Sequence, residues 1–186
     1  MSSPLLIIID GPPGAGKTTL ARRLADDLSL PLLQRDAVKE RLFDTLGVGD
    51  RDWSRRLGAV SYELLYDMME TLLRAGAPFI VESNWSPDLA HPRLLPLIDT
   101  ASHRLVHILC TAPPSLLAER LRRRSASGER HPGHGVDEEI DPHPYRPLDL
   151  AVPTRTIDTS IPHDAWYAPL RDELQTLRPF GARGMG

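Results

Sequence analysis

This sequence predicts an α/β fold, a five-stranded parallel sheet between two layers of helices, and three observations predict it. An apolar run, Leu5–Asp10, breaks into a glycine-rich turn and then into residues at helical spacing. Short apolar segments alternate with amphipathic stretches to the end of the chain, the pattern of strand–helix–strand units. The length of 186 residues suits one domain with a full core, read here as residues 1–186.

Each element follows from its residues. Leu5–Asp10 is apolar on both faces, as a central parallel strand should be. Leu20, Ala21, Leu24, Ala25 and Leu28 then recur at helical spacing. Leu32–Gln34 reads as a short second strand, and Asp36 to Leu46 as a helix ending near Gly47 and Gly49. Leu57, Val60, Leu64, Met68 and Leu72 give a long amphipathic helix whose stripe is expected to pack in the core; Gly76 and Pro78 stop it. Phe79–Ser83 and Leu105–Cys110 read as the third and fourth strands. Pro113–Arg124 is a helix with Pro at its start, Arg155–Asp158 a fifth strand, and Asp164–Leu177 a closing helix. Ser125–Pro147, rich in Gly, Pro, His and charge, resists assignment. A loop this long is usually functional or disordered, so a lid over the phosphates is expected at about 125–147, with plain surface disorder as the alternative.

The turn after the first strand carries the most chemistry. Gly11, four residues, then Gly16-Lys17-Thr18 is the Walker A pattern GxxxxGK[ST], placed between strand and helix. A glycine-rich turn lets successive backbone N–H groups wrap a phosphate, and the following helix adds its N-terminal N–H groups and dipole. Gly11, Pro12, Pro13, Gly14, Ala15, Gly16, Lys17, Thr18 and Thr19 are therefore the expected nucleotide-binding residues. Lys17 reaches the outer phosphates and the Thr18 hydroxyl ligates Mg²⁺ in such loops, so ATP (or GTP) with Mg²⁺ is the expected cofactor set and the fold a three-layer P-loop NTPase.

Composition narrows the partners. The net charge of −3 gives no global pull toward nucleic acid or membrane. No apolar stretch approaches a membrane span, and no positive segment precedes the first strand as in a signal peptide. The single cysteine, Cys110, cannot form an intramolecular disulfide and suits a reduced, cytoplasmic setting. Twenty arginines stand against two lysines, Lys17 and Lys39, a bias that reads mostly as codon usage.

Other candidate residues lie at strand ends and in the lid. Asp36, after the second strand, is placed to accept a proton from a substrate hydroxyl, or else to cap its helix. Arg35 beside it either holds an anionic substrate or faces solvent. A Walker B strand usually ends in an Asp that supports Mg²⁺, but no apolar strand after the first ends in Asp at the expected place; Glu82 is the nearby acid, expected to serve the metal or the substrate. Asn84 and Trp85 open the next loop toward the acceptor, with packing as the other role for Trp85. Arg120 and Arg124 share a helix face, and guanidinium groups aimed at a triphosphate would neutralise charge on the transferred group. Arg130, His131 and His134 are expected at the substrate during lid closure. A metal site on His131, His134, Asp137, Glu138, Glu139 and His143 is disfavoured, because such loops rarely preorganise ligands.

With these residues in place, the chain resembles the small P-loop kinases of the polynucleotide-kinase, gluconate-kinase, zeta-toxin and chloramphenicol-phosphotransferase group. The likeness runs from Leu5 to about Leu177. Arg35-Asp36 is similar to the Arg-Asp pair of phage-type polynucleotide kinase, which implies that Asp36 is the general base. Glu82-Ser83-Asn84 looks like that enzyme's acid-x-Asn segment. Pro114–Arg124 is similar to the RLxxR helix of adenylate-kinase-like enzymes, which implies nucleotide contacts for its arginines, and Val152–Ser160 is similar to the stretch near adenine. The sequence departs from nucleic-acid-binding members in having no phosphatase domain and no basic, aromatic-rich channel. The expected function is transfer of the γ-phosphate of Mg-ATP to a hydroxyl of a small molecule. A P-loop ATPase or switch with a protein partner, and a polynucleotide 5′-kinase, are the alternatives.

Overall fold

The computed structural model describes residues 3–98, 103–127, 131–134 and 145–177. The elements run β1 (Leu5–Asp10), α1 (Lys17–Leu28), β2 (Leu32–Gln34), α2 (Arg35–Leu46), α3 (Arg51–Arg74), β3 (Phe79–Glu82), α4 (Pro87–Leu97), β4 (Arg104–Thr111), α5 (Pro114–Ala126), β5 (Thr154–Asp158) and α6 (Tyr167–Thr176). Two 3₁₀ turns, Pro132–His134 and His163–Ala165, complete the described chain. All strand pairs are parallel, in the order β2-β3-β1-β4-β5. The five-stranded parallel sheet with flanking helices is thus as the sequence predicts.

Strand alternation divides the core into two layers. Leu5, Ile7 and Ile9 of β1 pack with α1 and α6, while Leu6 and Ile8 face α3 and α4. Every residue of β1 is fully buried, which explains its unbroken apolar character. From β1 the chain crosses toward β2, and from β4 toward β5. These opposite departures open a crevice at the carboxyl ends of the central strands, and the Walker A turn sits there.

Four readings need correction. The stripe assigned to α3 lies on the wrong face: Leu57 is buried, but Val60 and Leu64 are 44% and 40% exposed. The buried face is Leu57, Ser61, Leu65 and Met69 at four-residue steps, with Gly58 and Tyr66. Leu65→Ala is accordingly expected to cost about 2–5 kcal/mol in denaturant melts, and Leu64→Ala under about 1 kcal/mol. Equal costs would restore the stripe as first read. The second correction is α4, which the sequence reading passed over because Pro92 and Pro96 interrupt it. Ala90 and Leu94, one turn apart, anchor it in the core, so packing outweighs two lost backbone hydrogen bonds. Third, the third strand stops at Glu82, which leaves Ser83 to the following loop. Fourth, the closing helix begins at Tyr167, behind the 3₁₀ turn.

Of the segment 125–147, the first two residues belong to α5. Pro132–His134 lies against α2, where the Phe43 ring stacks on His131 with centroids 5.7 Å apart. A Cβ at Gly133 would stand 2.2 Å from that ring, so glycine permits this approach. Residues 128–130 and 135–144, with Arg130, Asp137, Glu138, Glu139 and His143, lie outside the described residues.

Candidate active site

The Walker A loop takes the backbone that its glycines allow. Gly11, Gly14 and Gly16 have φ of +142°, +81° and +77°, all in the region that favours glycine. Gly16 leads into α1, and Ala15 N–H closes the turn on the Pro12 carbonyl at 3.2 Å. Lys17 is buried, and its Nζ donates to the Pro12 carbonyl at 3.0 Å. Its ammonium thus lies folded along the loop. Pro13, Gly16 and Thr19 are exposed on it.

Across the crevice, the end of β3 supplies Glu82. Thr18 Oγ1 donates to its Oε2 at 3.3 Å, and Gln34 Nε2 donates to the same oxygen at 3.2 Å. Burial pushes the Glu82 carboxyl above its ordinary value, against the pull of Lys17. A buried carboxylate beside the loop threonine fits a hard divalent cation, which takes oxygen ligands. Thr18 and Glu82 are the residues that would hold Mg²⁺. For an acid with a raised native pKa, the unfolded chain ionises first, so native stability falls as pH rises past the unfolded value. Glu82→Gln removes this penalty. The variant is expected to melt higher than wild type at neutral pH in metal-free buffer, and to lose the Mg²⁺ dependence of nucleotide binding. A lower melting temperature would show that the carboxylate stabilises the fold.

Asp36 stands at the mouth, on the first turn of α2. Gln34 occupies the N-cap position, so Asp36 favours the helix dipole but does not cap it. Arg35 Nη1 donates to its Oδ1 at 3.0 Å. Burial works to raise the Asp36 carboxyl, but Arg35, with His134 and Lys17, overcomes it and holds the group below its ordinary value. Asp36 is therefore ionised at neutral pH. Arg35 does not face solvent: its guanidinium lies 4.9 Å from the Tyr62 ring centre. Tyr62 in turn donates to the Asn84 carbonyl at 3.1 Å and pairs with Ser83 Oγ at 3.1 Å. Trp85 is 1% exposed and packs on Tyr62 and Tyr66, so packing is its role; the Asn84 side chain stays exposed.

Elsewhere the candidates divide. Arg120 Nη1 donates to the Gly14 carbonyl at 3.2 Å and to Thr159 Oγ1 at 2.9 Å, and its Nη2 donates to the Thr159 carbonyl at 2.7 Å. It ties α5 and the turn after β5 to the phosphate loop. Arg124 is exposed one turn further along. His134 is buried against α2 with a ring nitrogen 3.0 Å from Glu40, and burial pushes its pKa down. His131 pairs with Asp44 at 3.1 Å. The structure thus gathers Lys17, Thr18, Asp36 and Glu82 around the loop, with His134 near Asp36. His131 and Arg124 sit further out.

Sequence reasoning missed Asp10. This fully buried carboxylate accepts from Gly11 N–H at 2.8 Å, from Leu148 N–H at 2.9 Å and from the Tyr145 hydroxyl, and lies 3.4 Å from His107 Nε2. Tyr145 also accepts from Gly11 N–H at 3.2 Å. The root of the phosphate loop is fixed by a residue 134 positions away. The one signal in the sequence was a charge ending a wholly apolar strand.

Comparison with known proteins gives the family and the fold. A family model described as an AAA domain matches residues 6–141. The crystal structure named "putative kinase from Chloroflexus aurantiacus j-10-fl" superposes with a TM-score of 0.86 at 38% identity, covering 96% of this chain and 100% of that one. The shikimate kinase of Thermobifida fusca (strain YX) is 32% identical over 139 residues, 71% of this chain and 81% of that enzyme. A cytidylate kinase of Ignicoccus hospitalis is 27% identical over 120 residues, 64% of each chain. The chain spans 22% to 64% of the lengths of the cytidylate kinases it matches.

Proposed function

We propose a phosphotransferase reaction for a chain that belongs to the AAA-domain family, as a small P-loop kinase domain related to the shikimate and cytidylate kinases. The reaction moves the γ-phosphate of ATP to a hydroxyl of a small molecule. One observation carries the reading: Asp36, a carboxylate held ionised, stands at the crevice mouth within the field of Lys17.

In the proposed step the acceptor O–H gives its proton to Asp36 as its oxygen bonds to the γ-phosphorus. The bond from that phosphorus to the bridging oxygen breaks, and ADP leaves. Loop N–H groups and Lys17 carry the charge spread over the transferring group, and Arg120 keeps Gly14 in place for them. Mg²⁺, when held by Thr18 and Glu82, would neutralise phosphate charge. The lid role expected of the segment after α5 belongs to the same proposal: it would exclude water from the crevice, with His134 near Asp36.

The experiment is transfer of labelled γ-phosphate from ATP to a panel of sugars, sugar acids, nucleosides, antibiotics and a 5′-hydroxyl oligonucleotide. Label on a small acceptor is expected. Label released only as free phosphate would favour an ATPase or switch, and label on the oligonucleotide a polynucleotide kinase.

A further inference from the structure

The phosphate loop turns on a single free joint. Pro12 and Pro13 follow Gly11, and each ring fixes its own φ, so the start of the loop beyond Gly11 is stiff. Gly11, at φ +142°, has the torsional freedom that the prolines lack. Whatever fixes Gly11 therefore fixes the direction of the Pro12 carbonyl. That carbonyl accepts from Ala15 N–H at 3.2 Å and from Lys17 Nζ at 3.0 Å. A lysine ammonium has three donors, so Lys17 can keep this bond and still give another to a phosphate oxygen.

The hold on Gly11 comes from outside the loop. Its N–H is shared between Asp10 Oδ1 at 2.8 Å and the Tyr145 hydroxyl at 3.2 Å, and that hydroxyl donates to the same Oδ1. Leu148 N–H donates to the other oxygen, Oδ2, at 2.9 Å. Burial, and then the Asp10 charge, push the Tyr145 hydroxyl far above its ordinary value, so it keeps the proton it donates. The strap 145–150 that carries both groups is itself anchored. Arg146 pairs with Asp88 on α4, Asp149 N–H donates to His91 Nε2 at 3.2 Å on the same helix, and Leu148 and Leu150 are buried in the core layer of α3 and α4. The Gly11 and Leu148 N–H groups already give each Asp10 oxygen a donor, so the buried carboxylate is satisfied without the tyrosine. What Tyr145 adds is a grip on the loop, made by a side chain that substitution can remove alone.

We infer that Tyr145 is a positioning residue for phosphoryl transfer: its hydroxyl, through Gly11 and the Pro12 carbonyl, sets where the Lys17 ammonium meets the γ-phosphate. The inference rests on the phosphotransferase reading and adds to it a residue that acts through Lys17.

The test compares Tyr145→Phe with wild type, both as the whole chain. Phenylalanine keeps the ring and removes both hydroxyl bonds. Turnover is read as labelled γ-phosphate passed to the acceptor panel or released as free phosphate, and phosphorus NMR reads the γ-phosphorus of bound Mg²⁺–AMP-PNP. Turnover at saturating ATP should fall about tenfold or more, the scale of one misdirected charge-assisted bond. KM for ATP and AMP-PNP affinity should stay within about threefold, because the loop N–H groups still hold the phosphates. The γ-phosphorus resonance should move, and the melting temperature should stay within about 4 °C of wild type. An unmoved resonance overturns the proposal, and so does wild-type turnover. A loss that falls on KM and nucleotide affinity instead of turnover overturns it too, since Tyr145 would then serve ground-state binding. A variant that fails to fold, or melts far lower and loses everything together, makes Tyr145 a brace of the fold and equally overturns it. The same assay separates the two readings. Label passed to an acceptor at equal rates by both proteins leaves the kinase standing and sinks the role of Tyr145. A moved resonance and slowed turnover, with label released only as free phosphate, uphold the hold on Lys17 and sink the kinase.

Discussion

Asp36→Asn is expected to lower the rate of phosphoryl transfer by about 10²–10⁴-fold, the range that general-base catalysis supplies. Nucleotide affinity should stay within about twofold of wild type, since the loop bonds made by Lys17 and Thr18 do not involve Asp36. Asparagine keeps the size and can still accept from Arg35 Nη1, which now bonds Asp36 at 3.0 Å. What it loses is the capacity to take a proton. Labelled γ-phosphate transfer read beside AMP-PNP titration makes the comparison. A variant that transfers at the wild-type rate removes Asp36 as base. A variant that loses transfer and nucleotide binding together points to a role in holding the crevice.

The effect depends on where the charge of Asp36 comes from. Burial alone would favour the protonated acid, a poor base, and Arg35 with His134 and Lys17 reverses that. The same environment treats Glu82 oppositely, because Lys17 alone among its neighbouring charges opposes burial and Asp36 adds to it. Two carboxylates on one crevice are thus pushed apart, a sign that they do different work. The ionised one suits proton abstraction. The other, a buried carboxylate that accepts from Thr18, suits a hard cation.

How much of this was legible depends on the range of the interactions involved. β1 and its loop were readable because five successive apolar residues, a glycine turn and a lysine are local and required for phosphate binding. Asp36 and Glu82 were readable because parallel topology brings strand ends to one edge. The α3 stripe misled because two apolar faces run side by side. The buried one passes through Gly58 and Ser61, which carry no hydrophobic signal, and Ser61 settles its hydroxyl on the Gly58 carbonyl at 2.7 Å. At Gly58 the ends of Arg35 and Lys39 from another helix approach to 3.0 and 3.8 Å of where a Cβ would stand, a neighbourhood that no periodicity reveals. Tyr145 was hidden for a similar reason: its partner Asp10 lies 135 residues away, and Tyr145 itself falls in the stretch 125–147 that reads only as loop. Tertiary partners, rather than propensity, decide such positions.

The loop's root is where a single methyl group should do the most structural damage. Gly11→Ala places a Cβ 2.3 Å from the Cys110 carbonyl oxygen, far inside contact distance. That oxygen belongs to β4, held between β1 and β5 with Cys110 in register with Ile157, so it has nowhere to retreat. The backbone at φ +142° is also closed to alanine without strain of about 1–3 kcal/mol. The loop must therefore lift off β4, and the Gly11 N–H bonds to Asp10 and Tyr145 go with it. We expect a loss of about 3–5 kcal/mol in denaturant melts. Nucleotide affinity should fall by about 100-fold or more, since each tenfold is about 1.4 kcal/mol of misplaced loop. Gly47→Ala is the matched control: its φ is +88°, but a Cβ there meets nothing within 4 Å. It should carry the conformational strain, about 1 kcal/mol, and bind AMP-PNP as wild type does. If both variants lose the same stability and Gly11→Ala still binds nucleotide normally, the β4 carbonyl is not what shapes the loop. If only Gly11→Ala fails, the central sheet itself sets the geometry of the phosphate site.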